Sequence, residues 1–194
     1  FVAETIEKMV REGRRYNDCA IFYRTNAQSR VIEEELRRRR IPYMIFGGVR
    51  FYDRKEVKDI LGYLRILVNP QDSLTLKRIL NVPPRGLGKK SIEALENFSS
   101  EHGIPLFEAL EKVKDIVDLP TAARGRLQEF FRLMDGFRKE LQKTSSLSGF
   151  VQKVIEETGY AGMLRKENTV ESEGRLENLG ELVNGIEEFE RTNS

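Results

Sequence analysis

The sequence of 194 residues contains one cysteine, one histidine and no long hydrophobic run. A single cysteine, Cys19, excludes an internal disulfide and is consistent with a reducing cytosol, so we expect a cytoplasmic protein. The lone histidine, His102, leaves no material for a histidine-based metal site or a catalytic triad. No apolar stretch approaches the roughly 20 residues that a membrane-spanning helix needs, and we therefore expect no membrane partner.

The charge of the chain is almost balanced, with 33 Lys and Arg residues against 31 Asp and Glu residues and a net charge of +2. So small an excess does not by itself indicate a nucleic-acid partner, which has to be argued from local clusters. The charged fraction of 33% beside 39% hydrophobic residues is typical of a helix-rich globular protein. Because the chain starts at Phe1 without an initiator methionine, we expect it to be an internal piece of a longer protein.

The first seventy residues alternate between helical and extended patterns. A helix is predicted over 2–14, a continuously apolar strand over 18–24, a helix that ends near Arg40, and a second strand over 42–46. This spacing predicts a βαβ unit whose parallel strands are buried on both faces. Two strands are too few for such a sheet, so we expect the missing strands to lie elsewhere in the longer protein.

Beyond Phe51 the apolar residues recur at helical spacing only. The predicted fold class is therefore α+β overall and mostly α, with an α/β segment over 1–72 and an all-helical part over 73–194. The helices predicted beyond Phe51 cover about 57–68, 73–80, 89–100, 105–114, 121–142, 147–158 and 172–191.

Tyr23 and Arg24 stand at the carboxyl end of the first predicted strand, which is where ligands of open α/β sheets bind. An aromatic ring beside an arginine suits a nucleotide, since the ring can stack on a base and the guanidinium can bind phosphate oxygens. The alternative is an interface tyrosine beside a surface arginine. The residues that follow, 25–28, predict a capping box in which the Thr25 hydroxyl caps the helix and Gln28 reaches back to the backbone at Thr25.

A second cluster interleaves basic and aromatic residues over 48–56, at a predicted strand-to-helix turn. Rings that stack together with cations that bind phosphates are how proteins hold single strands without sequence preference. The alternative is structural, with Phe51 and Tyr52 packed on the next helix and the cations solvated. The candidate DNA-binding residues of this cluster are Arg50, Phe51, Arg54 and Lys55.

A third segment, 81–91, has two prolines, then Gly-Leu-Gly, then two lysines. Glycines let a backbone approach a phosphate, and a helix N-terminus presents free N–H groups to it. This pattern is typical of a helix-hairpin-helix loop that holds duplex DNA by its backbone, and a plain turn is the alternative. An ATP-hydrolysing P-loop is excluded, because Pro83 and Lys90 stand where glycine and Ser or Thr are needed. The candidate DNA-binding residues are Arg85, Gly86, Gly88, Lys89 and Lys90.

The run of four arginines over 37–40 also suggests nucleic acid, but helix stabilisation explains it better. It follows three glutamates over 33–35, so that ion pairs four residues apart are expected, and cations favour a helix C-terminus.

In order and spacing, the chain resembles the UvrD/PcrA/Rep-type superfamily 1 DNA helicases in four blocks. The resemblance is strongest over about 18–95 and looser in the helices beyond. The blocks are IFYRTNAQSR over 21–30, IPY followed by GG over 41–48, FYDRKEVKD over 51–59, and NVPPRGLG over 81–88.

In that family two RecA-like domains, 1A and 2A, clamp ATP and move along single-stranded DNA, and each carries a helical insertion, 1B or 2B. The resemblance implies that 1–72 is a partial RecA-like α/β segment of the P-loop NTPase type, the start of 2A, and that 73–194 is most of the helical domain 2B. It implies that Tyr23 stacks on the adenine of ATP and that Arg24 is a catalytic arginine finger at the γ-phosphate. The implied partners are ATP, single-stranded and duplex DNA, domains 1A and 1B, and the rest of 2A.

The longer protein implied by the resemblance is an ATP-dependent 3′-to-5′ DNA helicase. The chain contains neither a Walker A lysine nor a Walker B Asp-Glu pair, so Mg²⁺ would be held by segments outside it and the isolated chain is expected to be inactive. The alternatives are a stand-alone DNA-binding module and a helical module that contacts protein partners.

Overall fold

The computed structural model describes residues 1–193, and ten α-helices lie in that range. None of them is both long and apolar enough to cross a bilayer. Short 3₁₀ helices cover Tyr16–Asp18, Asn26–Gln28, Phe51–Asp53 and Val113–Asp115. The α-helices are α1 (Val2–Arg11), α2 (Ser29–Arg38), α3 (Lys55–Val68), α4 (Ser73–Ile79), α5 (Lys89–His102), α6 (Leu106–Glu111), α7 (Thr121–Leu141), α8 (Leu147–Glu157), α9 (Tyr160–Glu167) and α10 (Val170–Asn193).

The helices predicted beyond Phe51 are present, and most of their apolar side chains are buried, although Val68, Leu74 and Phe189 are exposed. In α7 the side chains of Leu127, Phe130 and Met134 are at most 2% exposed. Helix α9 is not among the predicted helices, and its eight residues follow α8 after a single turn. This helix begins directly after Gly159, whose φ of +80° turns the chain out of α8.

The predicted α/β segment is wrong, because residues 1–193 contain no β-strand. The stretches 18–24 and 42–46 have no backbone hydrogen bond between them, and they line a cavity of about 900 Å³ instead. A strand forms only when a neighbour satisfies its N–H and C=O groups, and neither stretch has one within the described chain. As a result Phe22 and Phe46 are 92% and 86% exposed, and the described chain is all-α rather than partly RecA-like.

The buried apolar side chains form two clusters. The smaller one lies between α1 and α2 and includes Ile6, Leu36 and Ile41. The larger one begins at Phe51 and joins side chains from α3 through α10. The change from one cluster to the other therefore falls between Ile41 and Phe51, whereas the domain boundary near 72 stays a prediction.

Arg30 connects the two parts of the chain from inside. Its side chain is 2% exposed, and its guanidinium donates to Glu34 of α2 at 2.9 Å and to Glu181 and Glu188 of α10 at 3.3 and 3.2 Å. Burial on its own lowers the pKa of Arg30, but the neighbouring carboxylates, Glu34 and Glu188 foremost, outweigh burial and raise it. The cation is therefore retained, and it fixes α10 against α2.

Candidate nucleotide cleft and DNA-contact loop

Tyr23 and Arg24 lie on the rim of a cavity of about 890 Å³ between the start of α2 and helix α10. The Tyr23 side chain is half-buried, and Arg24 is exposed. Within residues 1–193 the Arg24 guanidinium makes no ion pair or hydrogen bond. The volume is within the range of small-molecule sites, and the free cation at its edge can bind an anionic ligand.

The backbone that carries this pair is fixed by Gln28. Its Oε1 accepts hydrogen bonds from the backbone N–H groups of Arg24 at 2.9 Å and Thr25 at 3.2 Å. These bonds confirm the Gln28 half of the predicted capping box, and they hold the turn that follows Tyr23 in one conformation.

Helix α10 forms the opposite wall of the cavity with Glu177, Gly180, Glu181 and Asn184. Sequence reasoning missed these residues, because they lie far along the chain from Tyr23 on the polar face of a helix. The available signal is weak: they recur three and four residues apart, as positions on one helix face do. Only the packing of α10 against the 3₁₀ helix Asn26–Gln28 brings them to the cleft.

Two of the four candidate DNA-binding residues over 48–56 are buried in the structure, Phe51 and Arg54. Phe51 is fully buried, and its ring packs edge-on against Tyr52 at 5.2 Å between centroids. Arg54 is 6% exposed, so neither side chain is presented to nucleic acid here. Phe51 thus packs inside the protein, as in the structural alternative, whereas Arg50 and Lys55 are exposed.

Arg54 is held by three hydrogen bonds inside the protein. Its guanidinium donates to the Asn26 carbonyl oxygen at 2.7 Å, to Ser29 Oγ at 2.8 Å and to Asn178 Oδ1 at 2.6 Å. The amide of Asn178 in turn donates to Glu56 Oε1 at 2.6 Å. Burial lowers the pKa of Arg54 from its ordinary value. This network fixes α3 and the start of α2 against α10, beside the cleft.

The glutamates of α2 pair only partly as the sequence predicts. Glu35 binds Arg39, as expected, and also Arg38, and the hydrogen bonds from these two arginines lower the pKa of Glu35 to about 2. Glu33 is buried and accepts from Ser29, Tyr43 and the Phe51 backbone instead of pairing with Arg37. Glu34 binds Arg30 and the Tyr52 hydroxyl.

The 81–88 loop owes its shape to Asn81. Its Oδ1 accepts from the backbone N–H groups of Arg85 at 2.8 Å and Leu87 at 3.3 Å, and its Nδ2 donates to the Leu87 carbonyl oxygen at 3.1 Å. The turn places Gly86 at φ +67°, a conformation that favours glycine. The glycine is thus required by the backbone of the turn.

The Arg85 side chain points into the protein. It donates to the carbonyl oxygens of Ile79 and Leu80 at 3.2 Å and to the Tyr63 hydroxyl at 2.6 Å. Its Cζ lies 4.9 Å from the centroid of the Phe130 ring. Arg85 therefore caps the end of α4 and anchors the loop, and in this structure its charge is not offered to a ligand.

The outer face of the loop is cationic and open. Gly88, Lys89 and Lys90 are exposed, and only Lys89 has an ionic neighbour in the described chain, Glu93 at 3.5 Å. Arg126 of α7 is also exposed and donates to the Gly86 carbonyl oxygen at 2.6 Å. The sequence gives no sign of this third cation, because tertiary packing alone brings it to the loop.

No three His, Cys, Asp or Glu side chains among residues 1–193 converge in a group that could hold a metal ion. On this chain the cleft is lined by two aromatic residues, Phe22 and Tyr23, by Arg24 and by the polar face of α10.

The described chain thus combines a cavity bordered by Tyr23 and Arg24 with a separate cationic loop, both on a helical scaffold. The sequence model of the UvrD-like helicase C-terminal domain matches residues 1–194, so the chain belongs to the UvrD-like helicase family. This confirms the resemblance to the UvrD/PcrA/Rep-type helicases.

Two relatives illustrate the similarity. The chain is 42% identical over 190 residues to the ATP-dependent DNA helicase PcrA of Staphylococcus aureus and 40% identical over 190 residues to that of Staphylococcus epidermidis. Each alignment covers 98% of this chain and 26% of the relative. The chain thus spans about a quarter of the length of the curated relatives that it matches.

Proposed function

We propose that the chain works within a longer ATP-dependent DNA helicase of 3′-to-5′ polarity, where it contributes one side of the ATP cleft and a duplex contact. The observation that carries the proposal is the free Arg24 guanidinium beside Tyr23 at a cavity large enough for a nucleotide. The relatives named ATP-dependent DNA helicase support the same function.

In the cleft, Tyr23 would stack on the base and Arg24 would bind the terminal phosphate. The arginine stabilises the negative charge that grows on the phosphoryl oxygens in the transition state. Because Gln28 Oε1 accepts from the backbone N–H groups of Arg24 and Thr25, the backbone that carries the Arg24 side chain is held in one position. Groups that hold Mg²⁺ and activate water would come from segments outside this chain.

At the loop, Lys89 and Lys90 would bind phosphates of the duplex, with Gly86 and Gly88 allowing close approach of the backbone. Such contacts hold DNA without reading bases. Arg50 and Lys55 are exposed and remain candidates for single-stranded DNA. Phe51, Arg54 and Arg85 would instead support these surfaces from within.

The duplex contact is tested by the salt dependence of binding. Duplex affinity of the full-length protein is measured by fluorescence anisotropy at several salt concentrations, for wild type and for the Lys89→Ala/Lys90→Ala double variant. Each phosphate contact contributes about one unit to the log–log slope, so the double variant should flatten it by up to about two units.

The matched control replaces two exposed lysines outside the loop by alanine, Lys8 of α1 and Lys143 beyond the end of α7. Both double variants remove the same net charge, so the control corrects for general electrostatic attraction. Equal slopes for the two variants would show that the loop does not contact the duplex.

A further inference from the structure

The two walls of the cleft differ in chemistry. The wall beside α2 presents the Tyr23 ring and the free Arg24 cation. The α10 wall presents two carboxylates, Glu177 and Glu181, and the amide of Asn184. A ligand that fills the space between them meets a cation on one side and hydrogen-bond acceptors on the other.

The side chains of α10 at the cleft offer hydrogen-bond acceptors. Glu177 is exposed and has no hydrogen bond or ion pair within the described chain. Glu181 is already bound by Arg30 at 3.3 Å and by the Asn184 Nδ2 at 3.1 Å. Asn184 uses one hydrogen of its Nδ2 in this bond, and its Oδ1 can accept a hydrogen bond from a ligand.

Helix α10 cannot easily withdraw from the cleft. Asn178, next to Glu177, is buried and bonded to Arg54 and Glu56. A Cβ at Gly185, next to Asn184, would lie 2.8 Å from Arg30 Nη1, so the α10 backbone lies directly against that guanidinium. The part of α10 that carries Glu177 and Asn184 is therefore held in place beside each of these two residues.

We propose that α10 binds the nucleoside part of the nucleotide, with Glu177 and Asn184 accepting hydrogen bonds from the ribose hydroxyls and the exocyclic amino group of the base. This rests on the function proposed for Tyr23 and Arg24. Phosphates carry acceptors and negative charge, so the carboxylates repel them and Arg24 attracts them. The seven-residue spacing of the two acceptors spans roughly 10 Å along the helix, enough to follow a nucleoside.

The first test compares nucleotide affinity by isothermal titration calorimetry. The full-length protein is titrated with the non-hydrolysable β,γ-imido analogue of ATP, without DNA. Loss of one such hydrogen bond should weaken binding about tenfold in Glu177→Ala and in Asn184→Ala. Glu187→Ala, on the same helix and exposed but outside the cleft, is the control and should bind as wild type does. Wild-type affinity in both cleft variants would overturn the proposal.

A second set of ligands identifies the donors. The imido analogues of 2′,3′-dideoxy-ATP and of purine riboside triphosphate lack the ribose hydroxyls and the amino group, respectively. If Glu177 or Asn184 accepts from a group that an analogue lacks, the alanine variant of that residue and the wild type should bind that analogue equally. If both variants bind both analogues more weakly than wild type does, α10 does not accept hydrogen bonds from these groups.

A third test fills the cleft. Gly180 lines it, and a Cβ there meets no atom within 4 Å, so Gly180→Leu should fold normally and exclude the ligand. Gly174→Leu changes an equally open glycine of α10 away from the cleft and should leave affinity unchanged. Equal affinity in both leucine variants would contradict a nucleoside beside α10.

The Tyr23→Ala and Arg24→Ala variants separate the two proposals. If they weaken binding while the α10 variants do not, the cleft function stands and the α10 contact fails. If Tyr23→Ala and Arg24→Ala also bind normally, the proposed function itself fails.

Discussion

Arg54 is a cation whose neighbours in the sequence and in space suggest different roles. Beside Arg50, Phe51 and Lys55 it resembles part of a DNA-binding surface. In the fold it is buried and bonded to Asn26, Ser29 and Asn178. Such a group is structural, because removing it leaves buried acceptors without their donors.

We expect Arg54→Ala to lower the free energy of unfolding by about 2–4 kcal/mol. Lys55→Ala removes the same charge from the exposed neighbouring position and should change stability by no more than about 0.5 kcal/mol. Urea unfolding followed by circular dichroism measures both. Similar losses for the two variants would mean that the Arg54 network contributes little.

A second residue-scale prediction concerns Glu35 and acid. Its pKa in the folded protein, about 2, lies below the ordinary 4.5, because Arg38 and Arg39 donate hydrogen bonds to the carboxylate. A lowered pKa stabilises the fold above the ordinary value, and that stabilisation is lost as the pH falls from about 4.5 to about 2. Glu35→Gln should therefore lose stability near neutrality and decline less steeply between pH 5 and pH 2. Thermal melts across that range check the slope, and parallel curves for the two proteins would contradict the assignment.

At the scale of elements, the turn over 81–88 depends on the backbone of one glycine. Gly86 has φ +67°, and a Cβ there would lie 2.8 Å from Arg126 Nη1. We expect Gly86→Ala to cost about 1–2 kcal/mol, because an L-residue is strained in this conformation. Gly88→Ala is the matched control, with open space around the Cβ and φ −75°, and should stay within about 0.5 kcal/mol of wild type. Equal unfolding midpoints for the two variants would refute this account of the turn.

Helices could be predicted from the sequence where an apolar stripe was long enough, as in α7. The strands could not, because pairing depends on neighbours that a local apolar pattern does not reveal. Stretches 18–24 and 42–46 have the composition of buried strands and yet form no ladder in this chain. At the cleft, Tyr23 and Arg24 were found from their local pattern, whereas Glu177 and Asn184 are brought there only by tertiary packing.

At the scale of the whole molecule, the chain carries a cavity and a cationic loop on one helical scaffold. The cleft beside Tyr23 and the loop at Gly86 are connected through α3, whose Glu56 accepts from Asn178 beside the cleft and whose Tyr63 binds Arg85 under the loop.

We expect the isolated chain to hydrolyse no ATP above background, even with single-stranded DNA, because it lacks the P-loop and catalytic acid of such enzymes. A coupled phosphate-release assay measures this, and turnover that survives the Arg24→Ala change would point to a contaminant.

The most direct test of the account is ATP turnover by the full-length protein with Arg24 replaced by alanine. We expect DNA-stimulated kcat to fall by about a thousandfold or more, as when an arginine finger is removed, while single-stranded DNA still binds. Arg14→Ala, which removes an exposed arginine outside the cleft, should leave kcat unchanged. A kcat for Arg24→Ala within a few fold of wild type would contradict the central claim that this chain completes the ATP site.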